Sequence, residues 1–311
     1  MEVFIRNSGV ESVKNHMGAL FQRSAMLMDE TLASFREGRA TDYLDDGSAI
    51  NVHLYFKEKL FVDFSGSSPT HQQNLNATPA IVRSAVLYAL RLWVNEDIPL
   101  NEGLLKNVEI LTEEGILAPN LKDDPTICPA VVGGNVETSQ RLVDVLLEAL
   151  GIQSNGQGTM NNFLFGNERF GFYETIGGGA GAGPSWHGRS GCHVHMSNTA
   201  ITDAEILEQR YPVRVRNFSL RKNSGGEGLW KGGDGLIREI EFLEEMTVSL
   251  LSQRRNRHPR PNGQPGAQFL LRDGSWKELP GIISLKVNPG ERLRIETPGG
   301  GGWLQPSSGL L

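Results

Sequence analysis

Apolar residues recur at helical spacing near the start of the chain. Val13, Met17, Leu20, Ala25, Met28 and Leu32 fall on one face across residues 9–36, with no proline between them. This pattern predicts a long amphipathic helix. Its apolar face needs a partner, and with only eight residues ahead of it the expectation is a chain truncated upstream. After the turn signal Asp45-Asp46-Gly47, the runs 50–56 and 60–64 alternate and are joined by Lys57-Glu58-Lys59, which predicts a β-hairpin. Ser65-Gly66-Ser67-Ser68-Pro69 breaks it, and helical periodicity returns over 79–94 through Ile81, Val82, Ala85, Leu87, Tyr88, Leu90 and Leu92. A third helix is expected over 138–150, with Asn135 or Thr138 as its cap.

Beyond Gly151 the character changes: glycine and asparagine dominate, and apolar residues come in short groups at 163–165 and 170–173. Period-two alternation follows at 213–216, 236–242, 247–251, 282–287 and 292–296, with glycine turns between. The expected fold is α+β. A mixed helix and hairpin region, 1–150, helical in its N-terminal part, precedes a β-rich, glycine-turn-rich region, 151–311, built as a sandwich or barrel. The two are separate units or one continuous domain.

A 39% hydrophobic and 21% charged composition over 311 residues is enough for a real core. The formal charge of −6 gives no broad attraction for polyanions, which argues against a nucleic-acid partner. The basic run Arg254-Arg255-Asn256-Arg257-His258-Pro259-Arg260 reads as a solvated loop closed by Pro259 and Pro261. Cys128 and Cys192 are too far apart for a zinc knuckle or a CxxC pair, so a reducing compartment is expected. With no signal-peptide pattern and no apolar run near the ~20 residues that span a bilayer, the expected location is cytoplasmic and off the membrane.

Candidate chemistry gathers in residues 133–198. His193 and His195, two apart, would share one face of a strand and could reach one metal ion, with Glu137, Glu174 or His187 as a third ligand; the alternative is a pair of hydrogen-bonded structural histidines. Gln157-Gly158-Thr159-Met160-Asn161-Asn162 offers neutral donors suited to orienting an amide or supporting an oxyanion, or else forms an asparagine-rich turn. Glu137, beside Asn135 at a helix start, is a candidate acid or base. The run Gly177-Gly178-Gly179-Ala180-Gly181-Ala182-Gly183-Pro184 resembles a phosphate cradle only in composition, since no lysine and hydroxyl residue follow it; a mobile loop or close-packed turn is expected. The glycine blocks at 224–228, 231–235 and 297–302 read as turns between strands.

Taken in order, several blocks resemble the hydantoinase B/oxoprolinase family along nearly the whole chain. They are Val62-Asp63-Phe64-Ser65-Gly66-Ser67, Ile98-Pro99-Leu100-Asn101-Glu102-Gly103, Gly133-Gly134-Asn135-Val136-Glu137-Thr138-Ser139-Gln140-Arg141 and Gln157-Gly158-Thr159-Met160-Asn161-Asn162. Tyr173-Glu174-Thr175-Ile176-Gly177-Gly178-Gly179, Ser190-Gly191-Cys192-His193-Val194-His195-Met196-Ser197-Asn198-Thr199, Gly232-Gly233-Asp234-Gly235 and Thr297-Pro298-Gly299-Gly300-Gly301-Gly302 continue it. The resemblance implies part of the B-type subunit of an ATP-dependent hydrolase that opens a cyclic amide such as 5-oxoproline or a hydantoin. It implies an A-type partner that binds ATP with Mg and phosphorylates the amide oxygen. The clustering of polar side chains among glycines points to Glu137, Asn161, His193 and His195 as catalytic or supporting residues and to Asn135, Thr159, Asn162 and Glu174 as substrate-binding ones. The family's histidine- and aspartate-rich N-terminal blocks, which look like the ligands of a divalent metal, are not found here, so no tightly held cofactor and no activity in isolation are expected. The competing readings are a noncatalytic scaffold facing the A-type subunit and a subunit of a related ATP-dependent ketone carboxylase.

Overall fold

The computed structural model describes residues 2–197 and 199–303; Asn198, which ends the glycine- and amide-rich middle, lies outside the described residues. Two helices open the chain, α1 (Glu2–Ser8) and α2 (Val10–Leu32), separated at Gly9, whose φ of 79° no ordinary helix residue adopts. The expected helix over 9–36 is thus shorter, and its apolar positions do not share one fate. Val13, Ala25 and Met28 are buried, whereas Met17 and Leu20 are exposed, because the protein covers α2 mainly from Ser24 onward. Among the described residues no helix is long and apolar enough to cross a membrane.

The expected hairpin is the centre of a larger sheet. Strands β1 (Gly38–Tyr43), β2 (Ala49–Phe56), β3 (Leu60–Asp63) and β4 (Val108–Leu111) lie in that order, antiparallel except for the parallel β3–β4 pair. Alternation turns Ile50, Val52 and Leu54 inward. Strand β1 has no such apolar signature, since its buried side chains are Ala40 and Asp42. Helix α3 (Pro79–Val94) starts on a proline, where the missing N–H costs nothing, and stops at Asn95 in the left-handed region. With α4 (Ser139–Ala149) it buries a core of Leu54, Val62, Val86, Leu90, Leu142 and Leu146 against this sheet.

A second apolar core lies between two antiparallel sheets. One contains β5 (Asn162–Asn167), β6 (Phe170–Glu174), β9 (Met246–Leu251) and β12 (Ile282–Val287), in the order β12-β9-β5-β6. The other contains β7 (Val213–Arg221), β8 (Gly235–Phe242), β10 (Ala267–Arg272), β11 (Ser275–Glu278) and β13 (Arg292–Glu296), in the order β11-β10-β13-β8-β7. Phe163, Phe165 and Val248 from the first meet Ile240, Phe242 and Leu293 from the second, the packing of a β-sandwich. The fold is therefore α+β, with β10, β11 and the short helix α5 (Ala204–Arg210) beyond what the alternation predicted.

The glycine runs pack backbone on backbone. A Cβ on Gly179 would sit 1.9 Å from the Gly233 carbonyl oxygen, and one on Gly300 would sit 2.0 Å from that of Ala180. The amides of Gly178, Gly179, Ala180 and Ala182 all donate to carbonyls of other segments, so the 177–183 run holds no open cradle for a phosphate.

Helix α4 joins the two cores. Its apolar side faces α3 and the first sheet, while Arg141 and Asp144 recur at i and i+3 on a polar side that is buried too, with Glu148 half-buried at i+7. The Arg254 guanidinium reaches Asp42 Oδ2 at 2.6 Å and Asp144 Oδ2 at 2.8 Å; Arg141 Nη1 lies 3.2 Å from Asp42, and His195 Nε2 lies 3.2 Å from Asp144 Oδ1. Gly158 passes so close that a Cβ there would lie 2.5 Å from Arg254 Nε. The basic run is consequently not simply a solvated loop: Arg254 is wholly buried, drawn in by two carboxylates that would otherwise be interior and unpaired. Burial pushes both carboxyls up, but Arg254 with Arg141 at Asp42, and His195 with Arg254 at Asp144, more than offset this and hold them below the usual carboxylate range.

Because these depressed carboxyls contribute stability above their unfolded pKa and lose it as pH falls, they should make the chain acid-sensitive below about pH 4. Arg254→Met, which leaves Asp42 and Asp144 facing each other, should cost about 3–5 kcal/mol in urea unfolding near neutral pH. A loss under about 1 kcal/mol, the value typical of an exposed pair, would contradict the assignment.

Candidate functional site

The turn that opens α4 is a wide one, Gly134–Thr138, and Gly134 lies against the chain so closely that a Cβ would meet the Asn76 carbonyl oxygen at 2.0 Å. This turn carries Glu137 inward. Neither expected cap forms. Asn135 is exposed, and Thr138 donates instead to the Leu75 carbonyl oxygen at 2.5 Å, pinning the helix start to the segment before α3.

Glu137 has no exposed surface. Its Oε1 accepts from Asn162 Nδ2 at 2.7 Å and from the Met160 amide at 3.2 Å, while Oε2 is buried without a hydrogen-bond partner. Burial pushes this carboxyl up to about 8, against the weaker opposing influence of the Thr159 hydroxyl, the Met160 amide, Arg141 and Arg255. Burial thus favours the protonated form of Glu137 near neutral pH. Around it, Tyr173 donates its phenol to Asn162 Oδ1 at 2.8 Å, and the Thr159 hydroxyl oxygen accepts from the amides of Asn161 and Gln253.

Asn161 sits in the left-handed region at φ 47° and is fully engaged: its amide nitrogen donates to Gln157 Oε1 and the Ile176 carbonyl, and its oxygen accepts from Arg255 Nη2 at 3.0 Å. Arg255 and Gln253 in turn line an open cavity of about 610 Å³, with Asp46, His71, Leu75 and Ile282 on its other sides. The interior acid thus lies behind one wall of a polar cavity.

The expected site residues divide into four places, the exposed Asn135 being one. Glu137, Thr159, Asn161 and Asn162 come together. Glu174 does not join them, because successive residues of a strand point to opposite faces: Tyr173 turns towards Asn162, and Glu174 turns to Arg238, whose Nε lies 2.7 Å away. That buried pair leaves the Glu174 carboxyl above its ordinary range, burial outweighing Arg238. His193 and His195 are not on a strand. They occupy a loop in which His195 takes φ 55°, with its ring on Asp144 and edge-on to Tyr88, while His193 bonds Ser197 Oγ at 3.0 Å.

Two groups implied by the resemblance can be tested against these residues. His193 and His195 are each engaged by a separate protein partner, and among the described residues no three His, Cys, Asp or Glu side chains are grouped to hold a metal ion. The glycine run offers no phosphate cradle. Among the described residues, neither the two histidines nor the glycine run offers a site that fits a divalent metal or ATP. Sequence reasoning missed Asp42, Asp46, His71, Asp144, Gln253 and Arg255; the only signals were the Asp45-Asp46-Gly47 turn and the basic run, each with an adequate solvent-facing reading.

This architecture, a helix-backed sheet joined to a sandwich, recurs in two solved structures. The structure of the ATP-dependent caprolactamase from Pseudomonas jessenii superposes with a TM-score of 0.82 at 22% identity, over 96% of this chain and 57% of that one. Nucleotide-free acetone carboxylase superposes with a TM-score of 0.80 at 12% identity, over 97% of this chain and 50% of that one. The chain belongs to the Hydantoinase B/oxoprolinase family, whose profile matches residues 1–306. It is 51% identical over 272 residues to 5-oxoprolinase 1 of Arabidopsis thaliana, a match covering 84% of this chain and 21% of that protein. The chain thus spans about a fifth of that relative's length.

The folded chain keeps the Glu137 proton up to about pH 8, whereas an unfolded chain releases it near 4.5. Between those values the folded state binds more protons, so Glu137 makes stability fall as pH rises, by about 1.4 kcal/mol per pH unit. Glu137→Gln should remove this slope: its stability relative to the native chain should rise from pH 5 to pH 8.5. Parallel stability curves for the two proteins would show that Glu137 is already ionised at pH 5.

Proposed function

We propose that this chain is part of the B-type subunit of an ATP-dependent cyclic-amide hydrolase, opening a ring of the 5-oxoproline or hydantoin kind. The observation that carries the proposal is the 51% identity over 272 residues to a 5-oxoprolinase. In this reading an A-type subunit or domain binds ATP with Mg and phosphorylates the amide oxygen, any divalent metal is held outside this chain, and the chain alone is inactive. Phosphorylation turns a poor electrophile into an imidate-like one that water can attack. Water then adds to the activated carbon, the ring C–N bond breaks to leave an acyl phosphate, and the departing nitrogen must gain a proton; a second water cleaves the acyl phosphate to the carboxylate and inorganic phosphate.

Glu137 suits the protonation of the departing nitrogen. Its proton is retained at neutral pH, and the Thr159 hydroxyl lies between its carboxyl and the cavity-lining Gln253. Asn162 and the Met160 amide hold one carboxyl oxygen in place, and Asn161 fixes the guanidinium of Arg255 at the cavity wall. A scaffold reading is favoured by one observation, namely that both amide hydrogens of Asn161 are spent inside the protein and none is free for an oxyanion.

The discriminating experiment uses the longer protein with its A-type partner, ATP and 5-oxoproline, measuring ring opening and ADP release. Glu137→Gln should lower kcat by about 10²–10⁴-fold with KM little changed and the thermal midpoint not lowered, the loss expected of a general acid. A scaffold role predicts that activity falls only in step with the folded fraction. ATP-dependent carboxylation without ring opening would sink the hydrolase reading.

A further inference from the structure

We propose that the 610 Å³ cavity is a specificity site for a small ligand that carries both a carboxylate and an N–H donor, read by Arg255 and Asp46. This rests on the hydrolase reading only for the origin of such a ligand, which would be the cyclic amide acid or the amino acid it opens to. The volume falls inside the range of about 300–1,000 Å³ that small-molecule pockets occupy. One side is apolar, through Leu75, Leu279 and Ile282, and suits a short hydrocarbon ring or chain.

The polar side has one cation, Arg255, and three carboxylates: Asp46 and Glu278 are exposed, and Asp45 is half-buried with its Oδ2 already taken by the Arg255 amide. Arg255 is half-buried and locked: Nε donates to Gln268 Oε1 at 2.7 Å, Nη1 to the Gln253 carbonyl at 2.9 Å and Nη2 to Asn161 Oδ1 at 3.0 Å. A guanidinium has about five N–H groups, so after these three bonds each terminal nitrogen keeps one, the pair that grips a carboxylate with two parallel bonds. Because Arg255 is already fixed by the protein, little further side-chain freedom is lost when a carboxylate binds.

Asp46 lines the same cavity and stays ionised. Burial raises its carboxyl, but the Ser48 amide and hydroxyl and His71 more than offset that and hold it below the ordinary range. His71 is itself fully used: Nδ1 accepts from the Gln73 amide at 2.9 Å and Nε2 meets Asp46 Oδ2 at 2.6 Å. The ring therefore orients Asp46 and is not free to act as a base. In the wall beside them, Asp45 Oδ1 is buried without a hydrogen-bond partner, an acceptor that a bridging water between protein and ligand would satisfy.

Calorimetric titration of the full chain with 5-oxoproline, L-glutamate and the neutral lactam pyrrolidin-2-one tests the proposal without any turnover. One of the two carboxylate probes should bind at least about tenfold more tightly than pyrrolidin-2-one, a difference of about 1.4 kcal/mol. Preference for 5-oxoproline identifies the ring form as the ligand; preference for glutamate identifies the opened form. Arg255→Lys, which keeps the charge and loses the two-pronged grip, should weaken the preferred probe at least about tenfold. If that variant fails to fold, Asp46→Asn serves in its place, since it keeps an acceptor for Ser48 and His71 and should weaken glutamate most. Equal binding of the neutral lactam, affinity indifferent to both substitutions, or no binding of any probe overturns the proposal. Ligand binding without ATP-coupled ring opening in the longer protein overturns the hydrolase reading alone.

Discussion

The structure depends on one arrangement of charge: two carboxylates and two guanidiniums, Asp42, Asp144, Arg141 and Arg254, held together away from water. They come from β1, α4 and the loop after β9, and they are a buried polar connection between the helix-backed sheet and the sandwich. Apolar packing alone would leave α4 free to turn its polar side outward to solvent. The interior charges remove that freedom, because any rotation strands a carboxylate or a guanidinium without its counter-ion. Glu137, one turn before Arg141 on the same helix start, is placed by this constraint, as is the 157–161 segment that passes between α4 and Arg254.

Two carboxyls a few residues apart on one helix thus take opposite protonation states for a stated reason. Asp144 has His195 and Arg254 in direct contact, which favour its charged form; Glu137 has only neutral groups beside it, the Asn162 and Met160 amides and the Thr159 hydroxyl, and burial favours its protonated form. This separation of two otherwise similar groups is what gives a site an acid that works at neutral pH. The open cavity lined by Arg255 and Gln253 is separated from that acid by Thr159 and Asn161, while glycine-packed backbone fills the region between the strands of the sandwich.

Much of the fold was legible because apolar periodicity is a local signal. The helices at 79–94 and 139–149 and the strands at 50–56, 163–165, 236–242 and 292–296 all announced themselves this way. Strand β1 did not, because Asp42 takes an inward position that alternation reserves for an apolar residue. The basic run was misread for the same reason: a sequence shows charges but not the distant counter-charges that allow burial, and Arg254 finds its partners 110 and 212 residues away. Within the site, the clustering of Glu137, Thr159, Asn161 and Asn162 could be anticipated from their density among glycines. The separation of Glu174 and of the two histidines could not, since it follows from strand facing and loop geometry fixed only by the assembled sheets.

The central claim is that Glu137 is an interior acid protonated at neutral pH. It is tested most directly by infrared difference spectroscopy of the native chain against Glu137→Gln across a pH series, following the carbonyl stretch of a protonated carboxyl. The account predicts a band, absent from the variant, that persists at pH 7 and titrates away near pH 8. A band that has vanished by pH 5.5 would contradict it, and would return Glu137 to the ordinary, charged carboxylates of the protein.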